Sequence, residues 1–241
     1  MSTVLEKLMA TAPGLLVLID PERTEPAEAA AVARAAQDAG AAGLLIGTSF
    51  DGTGQTDDVA QAIRAAADLP LVLFPGSAAH LTARVDAVLL LSLVSGRNPQ
   101  YLIEEHVRAV PFFSRHAVEA ISTAYILVDG GRITAVEAVS QTRPLPADKP
   151  ELAVAHAVAA RLIGMSTVYL DAGSGAARPV PPALIAAVRK AVPLPLVVGG
   201  GLRTAEQVRD AGRAGADLVV VGTAVEEGGP GRIRELVAAL V

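Results

Sequence analysis

Eight short runs of aliphatic residues recur along the chain, and polar residues do not alternate within them. Continuous Val, Leu and Ile indicate strands that are buried on both faces, as in parallel sheets. The runs are LLVLI (15–19), GLLIG (43–47), LVLF (71–74), AVLLLS (87–92), AYILV (124–128), TVYL (167–170), LVV (196–198) and LVVVG (218–222).

Alanine-rich segments with helix signals separate most of these runs. Pro26 opens one segment and Gly40 closes it, and Thr204 precedes another, as is typical of helix ends. Eight strands alternating with helices in 241 residues predict a single (β/α)8 TIM barrel over residues 1–241, a typical size for that fold. A doubly wound open sheet is the alternative, although no break divides the chain into two halves.

The connection after the third run is too short for a full helix. Only twelve residues, PGSAAHLTARVD, lie between Phe74 and Ala87, close to the minimum for a parallel crossover. We therefore predict that the third outer helix is missing or reduced to one turn, leaving an apolar groove in the barrel wall; a merely short helix is the alternative. Residues 130–150 contain three prolines and predict a small extended excursion and loop.

Charge and cysteine content exclude several classes of function. The net charge is −5 and Lys and Arg do not cluster, so no nucleic-acid partner is expected. Cysteine is absent, which excludes disulfides, thiolate metal sites and cysteine nucleophiles. The N-terminal residues lack the apolar region of a signal peptide, and the longest apolar run, residues 87–94, is too short to span a bilayer. A cytoplasmic location is therefore expected.

Three glycine-rich turns follow the last three predicted strands. Active sites of TIM barrels lie at the carboxyl ends of the strands, and glycine-rich turns there commonly bind phosphate through main-chain N–H groups. The turns contain Gly173, Ser174 and Gly175, then Gly199, Gly200 and Gly201, and finally Gly222 and Thr223. They predict a phosphate site; the alternative is that these glycines only permit tight turns.

Asp171 ends the sixth predicted strand, next to this phosphate site. A carboxylate beside a phosphate has a raised pKa because two negative charges repel each other, which suits a general base. A helix N-cap is the alternative role for Asp171, although the next helix signal, Pro181, is ten residues away.

Asp20 and Ser49 follow the first and second strands. A carboxylate and a hydroxyl at neighbouring strand ends can bind Mg²⁺, which keeps several waters and bridges substrate phosphates; a simple turn at Asp20-Pro21 is the alternative. The three lysines do not lie at strand ends, so Schiff-base chemistry is not expected. Histidines lack the spacing of zinc ligands.

The ordered motifs resemble the geranylgeranylglyceryl phosphate synthases and their bacterial heptaprenylglyceryl relatives, a family of TIM-barrel prenyltransferases. The similarity runs along nearly the whole chain, and that family also lacks its third helix. The motifs are LIDPE (18–22), IGTS (46–49), FPGS (74–77), DAVLLLSLVSGRNPQYLI (86–103), AYILVDGG (124–131), TRPLP (142–146), YLDAGSGA (169–176), VVGGGLRT (197–204) and VVGTAVEE (220–227).

The resemblance implies an activity and a set of site residues. A prenyl group, geranylgeranyl by preference, would be transferred from its diphosphate to the 3-hydroxyl of sn-glycerol 1-phosphate, with Mg²⁺ bound by Asp20 and Ser49 and the prenyl tail in the groove. Asp171 and Tyr169 would be catalytic. The glycerol phosphate would be held by Tyr169, Leu170, Asp171, Ala172, Gly173, Ser174, Gly175, Gly200, Gly201, Gly222 and Thr223.

This chain departs from the family pattern at three positions. Asp171 stands where glutamate is usual, Arg23 where lysine is common, and Ser95 where asparagine is common. The shorter carboxylate at residue 171 puts its reach toward a substrate hydroxyl in question.

Two other functions remain open from the sequence. Asp20 and Asp129 resemble the acid–base pair of the sugar-phosphate isomerases of histidine biosynthesis, and a full helix between residues 75 and 86 would favour that activity. A barrel that binds a phosphorylated lipid precursor without turning it over is the second alternative. Transient membrane contact and a homo-oligomer are also expected, with Tyr101, Phe112 and Phe113 as candidate contact residues.

Overall fold

Eight parallel strands close into a barrel in the computed structural model, which describes residues 2–48 and 55–241. Each strand pairs with its neighbours in chain order, and β8 returns to β1. The strands are β1 Gly14–Ile19, β2 Gly43–Ile46, β3 Leu71–Leu73, β4 Ala87–Leu93, β5 Glu119–Leu127, β6 Thr167–Asp171, β7 Leu196–Gly199 and β8 Leu218–Val221. The predicted TIM barrel is confirmed, and the open-sheet alternative is wrong.

Helices surround the barrel and begin and end largely where the sequence signals predicted. The α-helices are α1 Val4–Met9, α2 Pro26–Ala39, α3 Thr56–Ala66, α4 Glu105–Phe113, α5 Ala135–Ser140, α6 Pro150–Leu162, α7 Pro182–Ala191, α8 Ala205–Arg213, α9 Thr223–Gly228 and α10 Arg232–Ala238. Helix α2 ends at Gly40 in the left-handed conformation, and Thr204 caps α8. No helix among the described residues is both long and apolar enough to cross a lipid bilayer.

The core has two apolar layers, as the alternation of side chains along each strand dictates. One layer lies between strands and helices, where buried alanines such as Ala33 and Ala157 let the helices approach closely. The other fills the barrel interior with residues from the strands, including Leu45, Leu127 and Tyr169. Leu8 of α1 belongs to this interior cluster, so α1 packs onto the interior residues.

A single 3-10 turn, Ala78–His80, replaces the helix between β3 and β4. The Glu105 carboxylate accepts a hydrogen bond from the Ala78 N–H at 2.7 Å, and the buried His80 accepts one from the Gly76 N–H at 3.2 Å. The first contact holds the short connection against α4, and the second closes the turn on itself. The predicted loss of the outer helix between β3 and β4 is confirmed.

The segment 130–150 departs from the expectation. It contains a short helix, α5, and only one isolated bridge, between Val128 and Leu145, rather than an extended excursion. The prediction was wrong because a six-residue helix presents less than two turns of periodicity, and the three prolines nearby dominated the pattern.

Candidate active site at the carboxyl end of the barrel

One cavity of about 240 Å³ lies at the carboxyl ends of the strands and extends along the wall beside the 3-10 turn. It brings together most of the site residues predicted from the sequence, namely Asp20, Tyr169, Asp171, Ser174, Gly175, Gly200, Gly201, Gly222 and Thr223. Leu170 and Ala172 belong instead to the layer between strands and helices, so only their main chains could face a ligand. Gly173 lies outside the lining but donates to Asp171, and Ser49 lies outside the described residues.

Strand β6 aims two side chains into the barrel because side chains alternate along a strand. Tyr169 and Asp171 share the inward face, and both are buried. The register places Tyr169 beside Tyr125 of β5, and Asp171 between Leu127 of β5 and Gly199 of β7. The strand therefore ends on a carboxylate that faces the top of the barrel interior.

Both oxygens of the Asp171 carboxylate have hydrogen-bond donors. The Gly173 N–H donates to Oδ1 at 2.8 Å, and the Tyr125 hydroxyl donates to Oδ2. Burial raises the pKa of Asp171, and these two hydrogen bonds oppose that rise. The helix-cap alternative is wrong, because Pro181 occupies the N-cap position of α7.

Three aromatic rings form the floor of the cavity next to Asp171. Phe74 stacks on Tyr169 with ring centroids 5.2 Å apart, and Tyr125 contacts Tyr169 edge to face at 5.5 Å. Burial raises the pKa of both tyrosines well above the usual value, and the Asp171 carboxylate raises them further. Both hydroxyls therefore remain protonated at neutral pH and can act only as neutral donors or acceptors.

The turn after β7 has backbone geometry that suits an anion. Gly200 and Gly201 have φ values of 78° and 70°, a left-handed backbone conformation that residues with a Cβ rarely adopt. At the start of α8, the Thr204–Gln207 capping box engages the N–H groups of Arg203, Thr204 and Gln207. These three N–H groups are therefore already paired and are not available to a phosphate bound at the glycine turns.

The cavity continues into the side groove, an apolar channel between the 3-10 turn, β4, α4 and α5. Its wall is largely aliphatic or aromatic, and its polar members are Glu105, Ser140 and His106, whose Nε2 lies 2.7 Å from the Leu91 carbonyl oxygen. The lining residues are Ala78, Leu81, Leu91, Tyr101, His106, Ala109, Val136 and Val139. The predicted groove is present and opens directly onto the polar end that holds Asp171.

Acidic side chains gather at the rim formed by β1 and α9. Asp20 and Glu226 both line the cavity, and Arg23 lies 3.7 Å from Asp20 and 3.8 Å from Glu226. Burial raises the pKa of both carboxyls and Arg23 opposes the rise at each, while Glu22 adds to the rise at Asp20 and Asp20 adds to it at Glu226. Carboxylate oxygens are ligands that hard cations prefer, although Arg23 already offsets part of the charge here. No group of three or more His, Cys, Asp or Glu side chains within residues 2–48 and 55–241 is arranged as a metal site.

Four functional candidates escaped the sequence reasoning: Tyr125, Phe74, Glu226 and His106. Tyr125 carried a usable signal, because it interrupts an aliphatic run as Tyr169 does. Glu226 carried none, since its proximity to Asp20 depends on closure of the barrel.

Asp129 does not share the cavity with Asp20. It is exposed, and its Oδ1 accepts the Gly131 N–H at 2.7 Å in a local turn. Together with the missing third helix, this arrangement rules out the isomerase-type acid–base pair.

A family model, the PcrB family, matches residues 8–240 of this chain. The chain belongs to the PcrB family. A geranylgeranylglyceryl phosphate synthase of Methanothrix thermoacetophila is 46% identical over 216 residues, which cover 89% of this chain and 84% of the relative. One from Chitinophaga pinensis is 42% identical over 211 residues, covering 88% and 84%. The family resemblance of the motifs is thus confirmed.

A solved structure shares the whole architecture. The crystal structure of (S)-3-O-geranylgeranylglyceryl phosphate synthase from Thermoplasma acidophilum, in complex with its substrate sn-glycerol-1-phosphate, superposes with a TM-score of 0.94 at 31% identity, covering 100% and 99% of the two chains. A thiamine phosphate pyrophosphorylase from Pyrococcus furiosus, 16% identical with a TM-score of 0.63, shares the fold alone.

Proposed function

We propose that this chain transfers a prenyl group, geranylgeranyl by preference, from its diphosphate to the 3-hydroxyl of sn-glycerol 1-phosphate. One observation carries the proposal: a buried carboxylate, a set of glycine turns and a long apolar groove belong to a single continuous cavity. A base, an anion site and a lipid channel are the three parts that this reaction needs. The relatives named as synthases of this product support the same activity.

The acceptor would lie between the glycine turns and Asp171. The turns after β6, β7 and β8 would bind its phosphate, and the Asp171 carboxylate would face its 3-hydroxyl. As the hydroxyl oxygen forms the new bond to C1 of the donor, the C1–O bond to diphosphate breaks. The hydroxyl proton passes to Asp171 and the bond electrons leave with the diphosphate, so charge and atoms balance. The Tyr169 side chain would form the floor of the acceptor site.

Asp20 is the residue that would hold Mg²⁺, with Ser49 as the second predicted ligand. Bound there, Mg²⁺ would neutralise charge on the diphosphate leaving group. Asp20 lies on the same cavity as Asp171 but on the opposite side of the glycine turns, next to Arg23 and Glu226. The chain's own residues at this rim would orient the diphosphate, while the groove would exclude water from the prenyl tail.

Interactions beyond the substrates are also proposed. Ile103, in the π-helical turn Gln100–Glu104 that precedes α4, and Val107 and Val110 of α4 are more than half exposed. This exposure supports a homo-oligomer or transient membrane contact better than the aromatic residues first considered. Phe112 and Phe113 are only partly exposed and pack against the core. A cytoplasmic location stays a prediction from the sequence.

Product formation tests the proposal. The protein is incubated with sn-glycerol 1-phosphate, Mg²⁺ and prenyl diphosphates of graded length, and ether products are identified by mass. We expect a geranylgeranylglyceryl phosphate, with sn-glycerol 3-phosphate as a poor acceptor and Asp171→Asn as a control that keeps only a small residual rate. If no donor gives a product while glycerol phosphate still binds, the non-catalytic binding alternative replaces the proposal.

A further inference from the structure

The two oxygens of the Asp171 carboxylate face different parts of the site. Oδ1 accepts the Gly173 N–H and lies directly beneath the Gly200 turn, where the acceptor is proposed to bind. Oδ2 accepts a hydrogen bond from the Tyr125 hydroxyl on the neighbouring strand. Two donors on two oxygens fix the plane of the carboxylate as well as its position.

Tyr125 is itself held firmly in place. It is buried in the middle of the β5–β6 ladder, directly beside Tyr169, and its ring contacts Phe74 at 5.9 Å and Tyr169 at 5.5 Å. A ring held by two aromatic neighbours and by the sheet has its hydroxyl direction fixed by packing. The hydroxyl therefore acts as a rigid anchor for Oδ2.

The geometry points to Tyr125 as the positioning residue of the general base: its hydroxyl anchors Oδ2 of Asp171 so that Oδ1 is presented to the acceptor hydroxyl. This inference rests on the proposed function. Tyr125 keeps its own proton throughout, and the acceptor proton moves only to Oδ1. The aspartate side chain is one methylene shorter than that of glutamate. The orientation of its carboxylate plane therefore determines whether Oδ1 comes within hydrogen-bond distance of the acceptor hydroxyl.

A pH profile separates this role from mere packing. The Tyr125 hydrogen bond favours the charged form of Asp171 and lowers its pKa against the effect of burial. Removing the hydroxyl therefore raises the pKa of Asp171 further, and the acidic limb of kcat/KM moves to higher pH because the base must be deprotonated. Loss of packing alone would lower activity without moving that limb.

The decisive experiment is a double-mutant cycle of Tyr125→Phe and Asp171→Asn. We expect Y125F to lower kcat by roughly tenfold to a hundredfold, to leave KM for glycerol phosphate nearly unchanged, and to shift the acidic limb upward. In the D171N background the same change is expected to have little further effect, because Tyr125 acts through Asp171. Additive effects, or a wild-type kcat and pH profile in Y125F, overturn the inference.

A matched control is available on the same strand. Thr123→Val removes a fully buried hydroxyl two residues before Tyr125, one that bonds only to the Ile121 carbonyl at 2.8 Å and lies outside the cavity. T123V is expected to keep the wild-type pH profile even if its melting temperature falls. A shift of the acidic limb in T123V as large as in Y125F would assign the effect to general loosening and count against Tyr125.

An infrared titration tests the coupling between Tyr125 and Asp171 without any catalytic turnover. The carbonyl stretch of protonated Asp171 is isolated as the wild-type minus D171N difference spectrum and followed with pH. In Y125F this band is expected to appear at higher pH than in the wild-type protein; an unmoved titration overturns the inference. If the wild-type protein forms no ether product but the titration shifts, the proposed function fails while the Tyr125–Asp171 coupling stands.

Discussion

Gly200 lies in contact with Asp171, across the gap between β7 and β6. A Cβ at residue 200 would overlap Oδ1 of Asp171 and also approach the main-chain N atoms of Ala172 and Gly173 at 2.7 and 2.6 Å. The turn that is proposed to bind phosphate and the proposed base therefore share one closely packed contact. A change on either side must alter both.

Substitution of Gly200 by alanine is expected to abolish most activity. The added Cβ displaces the Asp171 carboxylate, and residue 200 has a φ of 78° that alanine disfavours. We expect kcat/KM to fall by roughly a hundredfold or more and the free energy of unfolding to fall by about 1 kcal/mol or more. Steady-state kinetics and thermal unfolding measure the two effects.

Gly164 provides the matched control for this substitution. It has a φ of 89°, but a Cβ there meets no atom within 4 Å, and it follows α6 away from the cavity. Gly164→Ala should lose a similar amount of stability while keeping wild-type kcat/KM. Equal losses of activity in G164A and G200A would show that backbone strain, not contact with Asp171, is the cause.

Asp171 is expected to make the protein less stable as pH rises. Burial raises its pKa in the folded state above the ordinary value of 3.8, so the folded state binds more protons than the unfolded state between those two pKa values. Stability therefore decreases as pH rises through that window, and the cost of the buried charge is fully present above the folded pKa.

Asp171→Asn removes this cost. The melting temperature of D171N is expected to exceed that of the wild-type protein at pH 7 to 8, and the difference should shrink as the pH is lowered toward the ordinary carboxyl pKa. Calorimetry on both proteins across this range measures it. A constant difference at every pH would mean that the amide acts through packing rather than through the lost charge.

The sequence predicted the barrel because eight aliphatic runs with helix caps between them admit few other arrangements. The absence of a helix between β3 and β4 followed from the length of that connection alone, since twelve residues cannot both cross to the next parallel strand and form a full helix. The inward orientation of Tyr169 and Asp171 also followed from alternation along one strand. These features depend on local spacing, which a sequence displays directly.

Relations between side chains on different strands could not be predicted in the same way. The Tyr125–Asp171 hydrogen bond depends on the stagger of β5 against β6, which places Tyr125 beside Tyr169 and not beside Asp171. The Arg23–Glu226 ion pair depends on β8 returning to β1. Burial of Asp171, the largest cause of its raised pKa, likewise arises only after the barrel has closed.

Removal of divalent metal and substitution of Asp20 are expected to have the same effect. Chelation should lower the rate on the order of a hundredfold, because the diphosphate loses its counter-charge, and Asp20→Asn should reproduce that loss and make the remaining rate insensitive to Mg²⁺. Binding of glycerol phosphate, followed by calorimetry, should be unchanged in D20N, since its proposed contacts are the glycine turns. A D20N protein that still responds to Mg²⁺ would place the metal elsewhere.

The size of the side chain at residue 109 is expected to set the length of prenyl chain that the groove accepts. Ala109 lines the groove from α4 and is almost completely buried, so Ala109→Phe fills space that a long tail would occupy. We expect kcat/KM for geranylgeranyl diphosphate to fall by at least about tenfold, while that for a shorter donor is largely kept.

Val107→Phe adds comparable bulk on the exposed face of the same helix and should leave donor preference unchanged. If A109F lowers the rate with all donors equally, distortion of α4 rather than occlusion explains the loss, and a tail in this groove is contradicted.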